Sequence, residues 1–325
     1  MIFLSIVVPC FENKDILKFG LPSIERQSIK DFEVILIDDQ SSNDLYQEIT
    51  DYVNSDTCPI RNQVRIYRND VNLGPGATRN RGIDLAKGKY ILFLDADDYL
   101  KDNAIEILKD NNDNKDMVFY DFERIVGQKT IKYKGISDKR AETSARDVLG
   151  TENFSTWCKI YKRDFLLRNQ LRMPDLLLGE DYVFTKLAMM NCTEISYVHE
   201  IIYVARDTTG SLTKKNPLGE FADEQYSYIE RNWPLNQEKD ALEGIFIYLK
   251  CFAKIWNLIE HKKNNEIICN YIKSLNRYGI DWNKSDYKKK LPRYQRVFLY
   301  AVERENVIML RAIVWARKIV KRVYR

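Results

Sequence analysis

The sequence predicts an α/β protein with a Rossmann-like, mostly parallel sheet that carries helices on both faces, followed by a C-terminal helical region. Short apolar segments alternate with amphipathic helical segments over the first 125 residues, and such alternation is typical of parallel sheets. From Glu220 onward the spacing of apolar residues is helical throughout. Pro217 and Gly219 mark the change, so we expect one domain over residues 1–216 and a helical region over 217–325.

Runs of Val, Ile, Leu and Phe predict strands at 3–8, 32–37, 64–67, 89–94 and 117–120. Apolar residues three and four apart predict helices at 15–27, from 43, at 76–86 and at 103–109, and later at 221–232, 241–261, 266–275 and 295–323. Between 144 and 215 the pattern is irregular, with strand-like runs at 195–198 and 201–204.

The strand that begins at Tyr90 ends in the acidic sequence Asp95-Ala96-Asp97-Asp98. Three carboxylates at the end of a buried strand repel one another, and a divalent cation removes that repulsion. Mg²⁺ and Mn²⁺ prefer oxygen ligands and are often held by one or two carboxylates together with substrate phosphates. Two other polar segments, Pro9–Asn13 and Asp38-Asp39, also follow strands, where open parallel sheets bind ligands. The sequence therefore predicts a metal–diphosphate site at this edge of the sheet.

Composition narrows the class of protein. The six cysteines show no metal-binding or paired spacing, which favours a reduced, cytosolic setting. The chain has two histidines, His199 and His261, and this small number argues against a histidine metal site or a Ser-His triad. The N-terminus lacks the basic segment of a signal peptide, and no run of about 18 apolar residues occurs.

Two segments near the predicted sheet edge each allow two interpretations. Asp38-Asp39 precedes a helix, so these acids either form a turn and N-cap or accept a base N–H or ribose hydroxyl. The loop Asn72–Gly82 opens a helix that carries Arg79 and Arg81, and a helix N-terminus with arginines suits a diphosphate. Alone, Arg81 is better explained as a surface residue.

Three later segments also allow two interpretations each. Glu180-Asp181 begins a helix, where the macrodipole favours acids, and a carboxylate in a pocket also suits a general base. Trp157 is either a platform for a sugar ring or ordinary core. The basic, hydroxyl-rich loop from Arg206 to Lys215, which includes Ser211, either clamps phosphates or is solvated.

The C-terminal segment is strongly basic. Between Lys288 and Arg325 there are twelve Lys/Arg and two acidic residues. Ile308, Ala312 and Trp315 recur at helical spacing, so this segment predicts a basic amphipathic helix that docks on an anionic membrane surface or, as an equal alternative, on its own domain or another subunit of a homo-oligomer. Nucleic-acid binding is not predicted, because no recognition motif accompanies the charge.

Taken together and in this order, six motifs resemble those of family 2 glycosyltransferases with the GT-A fold. They are Val7-Val8-Pro9-Cys10-Phe11, Asp38-Asp39-Gln40-Ser41, Asn72–Gly82, Asp95-Ala96-Asp97, the stretch from Trp157 to Leu166, and Gly179-Glu180-Asp181. The resemblance covers residues 3–215. Glu12 and Gln40 replace the family's Asn and Gly, so we expect base and ribose contacts that differ from the common pattern.

The resemblance implies a role for each matching residue. Pro9, Phe11 and Asp39 would hold uridine, and Asp97 would ligate Mn²⁺ or Mg²⁺ with Asp98 as a third carboxylate. Asp181 would be the base. The remaining implied contacts are with the nucleotide sugar through Arg79, Asp95, Ala96, Arg206 and Ser211, and with the acceptor through Trp157 and Glu180.

What the resemblance implies is an inverting, metal-dependent enzyme that moves one sugar from a UDP-sugar to a hydroxyl of a glycan. The expected acceptor is a lipid-linked precursor of a bacterial surface polysaccharide (capsule, O-antigen or teichoic acid), and the expected location is the cytoplasm or the inner face of the cytoplasmic membrane. The Q-x-x-R-W motif of processive synthases is absent. Two alternatives remain: a sugar nucleotidyltransferase and a non-catalytic partner protein that kept the fold.

Overall fold

The structure, a computed structural model, describes residues 2–136, 155–207, 219, 221–232, 239–278, 288 and 291–323. The chain divides into two compact units. The first comprises Met1–Asp175 and Glu180–Gly210, and the second comprises Leu176–Gly179 and Ser211–Arg325. The boundary predicted at residue 216 falls between 208 and 218, outside the described residues, so the division into 1–216 and 217–325 stays a prediction.

Within the described residues, nine strands of the first unit form one sheet. They are β1 (Leu4–Cys10), β2 (Phe32–Asp38), β3 (Val64–Arg68), β4 (Tyr90–Phe93), β5 (Tyr99–Leu100), β6 (Met117–Val126), β7 (Lys129–Tyr133), β8 (Lys159–Lys162) and β9 (Ile195–Arg206). The strand order is β3-β2-β1-β4-β8-β6-β9-β5, and β7 pairs with β6.

Helices cover both faces of this sheet, as predicted. They are α1 (Leu21–Glu25), α2 (Asn43–Asn54), α3 (Gly74–Leu85), α4 (Ala104–Asp110), α5 (Arg163–Arg168) and α6 (Glu180–Asn191). Ile6 and Val8 of β1 share a core cluster with Leu45 of α2. Val7, between them in sequence, points to the other face, where a Cβ on Gly82 of α3 would lie 2.2 Å from its side chain.

The predicted parallel sheet is confirmed in β3-β2-β1-β4, whose pairs are all parallel. Residues pair across it as Cys10 with Asp38 and Val7 with Phe93. The ends of β1, β2 and β4 therefore lie side by side, and the polar segments that follow them emerge at one edge.

Beyond β4 the sheet departs from the predicted pattern, because β8 joins antiparallel to both β4 and β6. Two short strand-like runs, at 195–198 and 201–204, are one strand, β9, which pairs parallel with β6 across a register shift at Tyr120 and Asp121. The helix predicted over 15–27 begins as a π-helical turn, Ile16–Gly20, and continues as α1.

The second unit is helical in its described residues, as predicted for the C-terminal region. Its helices are α7 (Ala222–Arg231), α8 (Lys239–Phe246), a π-helical segment (Ile247–Lys254), α9 (Ile255–Glu260), α10 (Asn265–Leu275), α11 (Arg293–Glu303) and α12 (Val307–Val323). In the part of the chain that the structure describes, no helix has the length and apolarity to cross a bilayer.

The single helix predicted over 295–323 is wrong, since α11 ends at Glu303 and α12 begins at Val307. Glu305 between them has a positive φ of 51°, which a continuous helix does not allow. The side chain of Asn306 then accepts a 3.0 Å hydrogen bond from the backbone N–H of Met309 and caps α12.

Candidate active site

Asp39, directly after β2, organises the loop that opens α3. Its Oδ1 accepts hydrogen bonds from Nδ2 of Asn69 at 2.7 Å and from the N–H of Leu73 at 2.9 Å, and its Oδ2 accepts from the N–H of Gly74 at 2.8 Å. Gly74 has a φ of +80°, a conformation that glycine adopts without strain. The carboxylate thus fixes the Gly-rich loop and keeps acceptor capacity at Oδ2.

The two positions that depart from the family motifs join the loops after β1 and β2. Glu12 donates its N–H to Oγ of Ser41 at 3.0 Å and accepts the N–H of Ser42 at 2.7 Å. Gln40 takes the left-handed conformation, with φ at +67°, that suits the usual glycine. Nearby, Pro9 is partly exposed, and Phe11 leaves 52% of its surface open.

Arg79, in the second turn of α3, connects this helix to the end of β4 and to the start of α6. Its Nη2 donates to Oδ1 of Asp95 at 2.7 Å, and its Nη1 lies 3.4 Å from Oε1 of Glu180. Burial alone would lower the pKa of Arg79. The negative charges of Asp95 and Glu180 outweigh burial, and the net effect is a raised pKa. Arg81 is no isolated surface residue, because it donates to the backbone of Arg68 and to Asn69.

The residues that follow β4 have different surroundings. Asp95 faces Arg79, whereas Ala96 belongs to the buried core cluster. Asp97 keeps a partly exposed position, and its carbonyl oxygen accepts a 3.0 Å hydrogen bond from Arg206. Asp95 is therefore held by Arg79, and Asp97 lies beside Arg206.

Asp98 is buried, and both its carboxylate oxygens have partners. Oδ2 accepts from the hydroxyl of Tyr203 at 2.7 Å, and Oδ1 accepts from the N–H of Arg206 at 2.6 Å. Burial, together with the charges of Asp95 and Asp97, raises the pKa of Asp98 well above its usual value. This position does not fit the metal role predicted for Asp98. Among the described residues, no three His, Cys, Asp or Glu side chains gather into a metal-binding group.

Arg206, at the end of β9, bonds to the segments beside it. Its Nη1 donates to Asp15 at 2.8 Å as well as to the carbonyl of Asp97, and its guanidinium lies 3.5 Å from the centre of the Phe19 ring. The side chain is one quarter exposed, and its bond to Asp97 brings it next to the predicted diphosphate position. Ser211, predicted to act with it, lies outside the described residues.

Glu180 and Asp181 begin α6, where the helix dipole favours acids. A Cβ on Gly76 of α3 would lie 2.9 Å from Cγ of Glu180, so only a glycine leaves room for this side chain. Burial and the charge of Glu180 raise the pKa of Asp181 to about 7, although Arg79 acts against them. A carboxylate with a pKa near neutrality suits proton abstraction at physiological pH.

Trp157 does not fit the predicted acceptor role, because it is buried in the core. One face of its indole stacks on Tyr203, with ring centres 4.6 Å apart and planes inclined by 13°. The edge of Phe122 meets it at 4.8 Å. Both rings occupy the surfaces that a sugar would need, and the ordinary-core alternative holds.

Sequence reasoning missed three positioning residues. Tyr203 accepts the N–H of Asp95 and donates to Asp98, and Asn69 holds Asp39. Asn80 makes two 2.8 Å hydrogen bonds with the backbone of Met173. Asn80 belongs to the Asn72–Gly82 motif, so the sequence could have identified it. Tyr203 and Asn69 belong to no motif.

The fold and these motifs define a glycosyltransferase. The sequence pattern of Glycosyl transferase family 2 matches residues 5–168, half of the chain, and the protein belongs to this family. The resemblance inferred from the six motifs is confirmed, and so is the glycosyltransferase class of enzyme.

Two curated relatives are similar over most of the chain. One is the cholesterol galactosyltransferase of Borreliella burgdorferi, 24% identical over 88% of this chain and 80% of that protein. The other is a GalNAc(5)-diNAcBac-PP-undecaprenol β-1,3-glucosyltransferase of Campylobacter jejuni, 29% identical over 80% of this chain and 84% of that protein.

Solved structures share the GT-A fold. TarS 1–349 of Staphylococcus aureus, solved with UDP-GlcNAc, superposes with a TM-score of 0.69 at 20% identity, over 97% of this chain and 91% of that chain. A mannosyltransferase of Pyrobaculum calidifontis, solved with GDP-Man and Mn²⁺, gives 0.55 at 13% identity, over 97% and 86%. These likenesses show the fold.

Proposed function

We propose that this protein is an inverting, metal-dependent glycosyltransferase that moves one sugar from a UDP-sugar to a hydroxyl of a lipid-linked precursor of a bacterial surface glycan. The observation that carries the proposal is the network from Asp95 through Arg79 to Glu180, with Asp181 beside it at a pKa of about 7. It joins the strand end that would hold the donor diphosphate to a residue able to take the acceptor's proton.

The uridine site consists of Pro9, Phe11 and Asp39. The exposed ring of Phe11 offers a face on which uracil can stack. Oδ2 of Asp39 accepts one hydrogen bond, from Gly74, and keeps a lone pair that would accept the imide N–H of uracil. UDP complexes of TarS, a structure of the same fold, support this choice of nucleotide.

The oxygen donors present fit Mg²⁺ or Mn²⁺, but with fewer carboxylate ligands than the sequence predicted. We assign the cation to Asp97, which is partly exposed, whereas Asp98 is buried and bonded to Tyr203 and Arg206. One carboxylate, completed by water and substrate phosphates, is a usual Mg²⁺ site. When bound, the cation offsets the negative charge that develops on the departing diphosphate.

Asp181 is the general base of the proposed reaction. It accepts the proton of the acceptor hydroxyl, whose oxygen forms a bond to C1 of the donor sugar. The bond between C1 and the phosphate oxygen breaks, and its electron pair leaves with UDP. A single displacement inverts C1, which agrees with the β-linkage named for the Campylobacter relative.

Glu180 positions the base and the acceptor. Arg79 and the space left by Gly76 hold its carboxylate at the start of α6. Its charge also contributes to the raised pKa of Asp181. Arg206 lies beside Asp97, where its cation can contact the diphosphate.

The lipid-linked acceptor places the reaction at a membrane, and α12 supplies a surface for it. Val307, Leu310 and Val314 are buried, whereas Ile308 and Trp315 expose 77% and 67% of their surfaces. The guanidinium of Arg311 donates hydrogen bonds to the side-chain oxygen of Asn265 and to the backbone oxygen of Lys263. Both acceptors are uncharged, so these bonds do not neutralise the arginine. Apolar side chains beside basic ones suit an anionic lipid surface.

A screen of UDP-sugars for UDP release, with and without Mn²⁺, tests the function. We expect release from at least one UDP-sugar, increased by Mn²⁺ and by an acceptor. Diphosphate release from a sugar phosphate and UTP would indicate a nucleotidyltransferase, although the loop Pro9–Glu12 lacks the Gly-rich basic sequence that such enzymes need. Binding of UDP without any turnover would indicate a non-catalytic partner protein.

A further inference from the structure

The second unit contains a cavity of about 250 Å³ that the proposed reaction does not use. Its walls come from the π-helical segment, α9, α11 and α12, and all its lining residues lie in the second unit. The volume is slightly below the roughly 300–1,000 Å³ of pockets that enclose drug-sized ligands. A ligand about the size of one ring fits it.

Aromatic side chains form much of the wall. Tyr248, Phe252 and Trp256 are four residues apart and share one helical face. Tyr294 of α11 completes the aromatic lining. Trp256 is held by stacking on Phe298, with ring centres 6.0 Å apart and planes inclined by 27°, so its orientation is fixed before a ligand enters.

Polar groups stand among these rings. Asn257, Glu260 and Gln295 line the same cavity. Their amides and carboxylate supply hydrogen-bond donors and acceptors for the hydroxyl groups of a ligand.

The charges of the cavity are already paired. Glu260 accepts a salt bridge from Lys318 at 3.2 Å, and the guanidinium of Arg317 lies 3.9 Å from the centre of the Tyr294 ring. Each charged side chain of the wall therefore already has a partner, a lysine for Glu260 and an aromatic ring for Arg317. Hydroxyl groups, which need no counter-charge, suit such a wall, so we take the occupant to be uncharged.

We infer that this cavity is a carbohydrate-binding subsite that takes one pyranose ring of a glycan. A pyranose has apolar C–H faces that pack on aromatic rings, and hydroxyls at its rim that bond amides and carboxylates. The binding of a neutral sugar follows from the cavity itself.

Saturation-transfer NMR on the full chain tests the subsite, with the methyl β-glycosides of glucose, galactose and N-acetylglucosamine as probes. We expect transfer to at least one glycoside. Tyr294→Ala and Gln295→Ala, which change the wall at an aromatic and at an amide position, should each weaken its binding by about threefold to tenfold. Thermal melting and UDP binding should stay as in the wild type.

Tyr300→Ala is the matched control. Tyr300 lies on the same helix, is exposed by 45% against 37% for Tyr294, and also has an arginine over its ring, but it does not line the cavity. Its loss should leave glycoside binding within about twofold. No transfer to any probe, or equal loss in Tyr294→Ala and Tyr300→Ala, would overturn the subsite. Glycoside binding retained in a chain that fails to bind UDP would support the subsite while refuting the proposed function.

Discussion

Nη2 of Arg79 donates a 2.7 Å hydrogen bond to Oδ1 of Asp95, and this contact ties α3 to the acidic end of β4. The other arm of the guanidinium reaches Glu180, beside Asp181. Arg79 thus connects the proposed donor site with the proposed base and sets the charge around both. The contact explains why an arginine of the A-x-R-N motif is buried rather than directed to solvent.

Replacing Arg79 by Gln should change the pH dependence of turnover. The charge of Arg79 lowers the pKa of Asp181, so its loss raises that pKa, and the acidic limb of the kcat/KM profile should move to higher pH. Arg79→Lys keeps the charge and should restore the limb toward its wild-type position. Identical limbs in Arg79→Gln and wild type would contradict the electrostatic role.

Gly76→Ala should reduce transfer without affecting UDP binding. The added methyl would lie 2.9 Å from Cγ of Glu180, so the side chain that neighbours Asp181 must shift. We expect kcat to fall by about tenfold to a hundredfold, as misplacement near a reacting group produces. Ala77→Ser, at the next and exposed position of α3, is the control and should leave kcat unchanged. Equal kcat values for the two variants would show that Glu180 has no positioning role.

Asp97→Ala and Asp98→Asn should separate the carboxylates after β4. Calorimetry of UDP binding with Mn²⁺ should show the metal-dependent part lost in Asp97→Ala. Asp98→Asn should keep it within about threefold, because that side chain bonds Tyr203 and the backbone of Arg206 instead. If Asp98→Asn lost the metal dependence and kept a wild-type melting temperature, Asp98 would be a ligand of the metal.

The proposed membrane surface predicts that the full chain co-sediments with phosphatidylglycerol vesicles and much less with neutral phosphatidylcholine vesicles. Trp315→Glu should weaken this binding by at least about tenfold, since it puts a charge into the apolar face of α12. Ile131→Glu adds the same charge to an exposed apolar position on β7 and should have little effect. A Trp315→Glu variant that binds vesicles normally but turns a dimer into a monomer would assign α12 to a subunit contact.

The alternation of strands and helices, and the acids at one sheet edge, could be predicted because each depends on local sequence. The period of apolar residues identifies β1, β2 and β4, and the strand ends place Asp39 and Asp95 together. The buried, hydrogen-bonded position of Asp98 could not be predicted, because it depends on Tyr203, more than a hundred residues away in the sequence. The same holds for Trp157, whose burial depends on strands β6 and β9.

The central claim is that Asp181 is the general base, and the pH profile of kcat/KM for sugar transfer tests it most directly. The base must be deprotonated to accept the hydroxyl proton, so activity should rise with pH through an apparent pKa of about 7 and then level. Asp181→Asn should lose transfer by at least about a hundredfold while it still binds UDP as the wild type does. A wild-type rate in Asp181→Asn, with the same acidic limb, would contradict the claim.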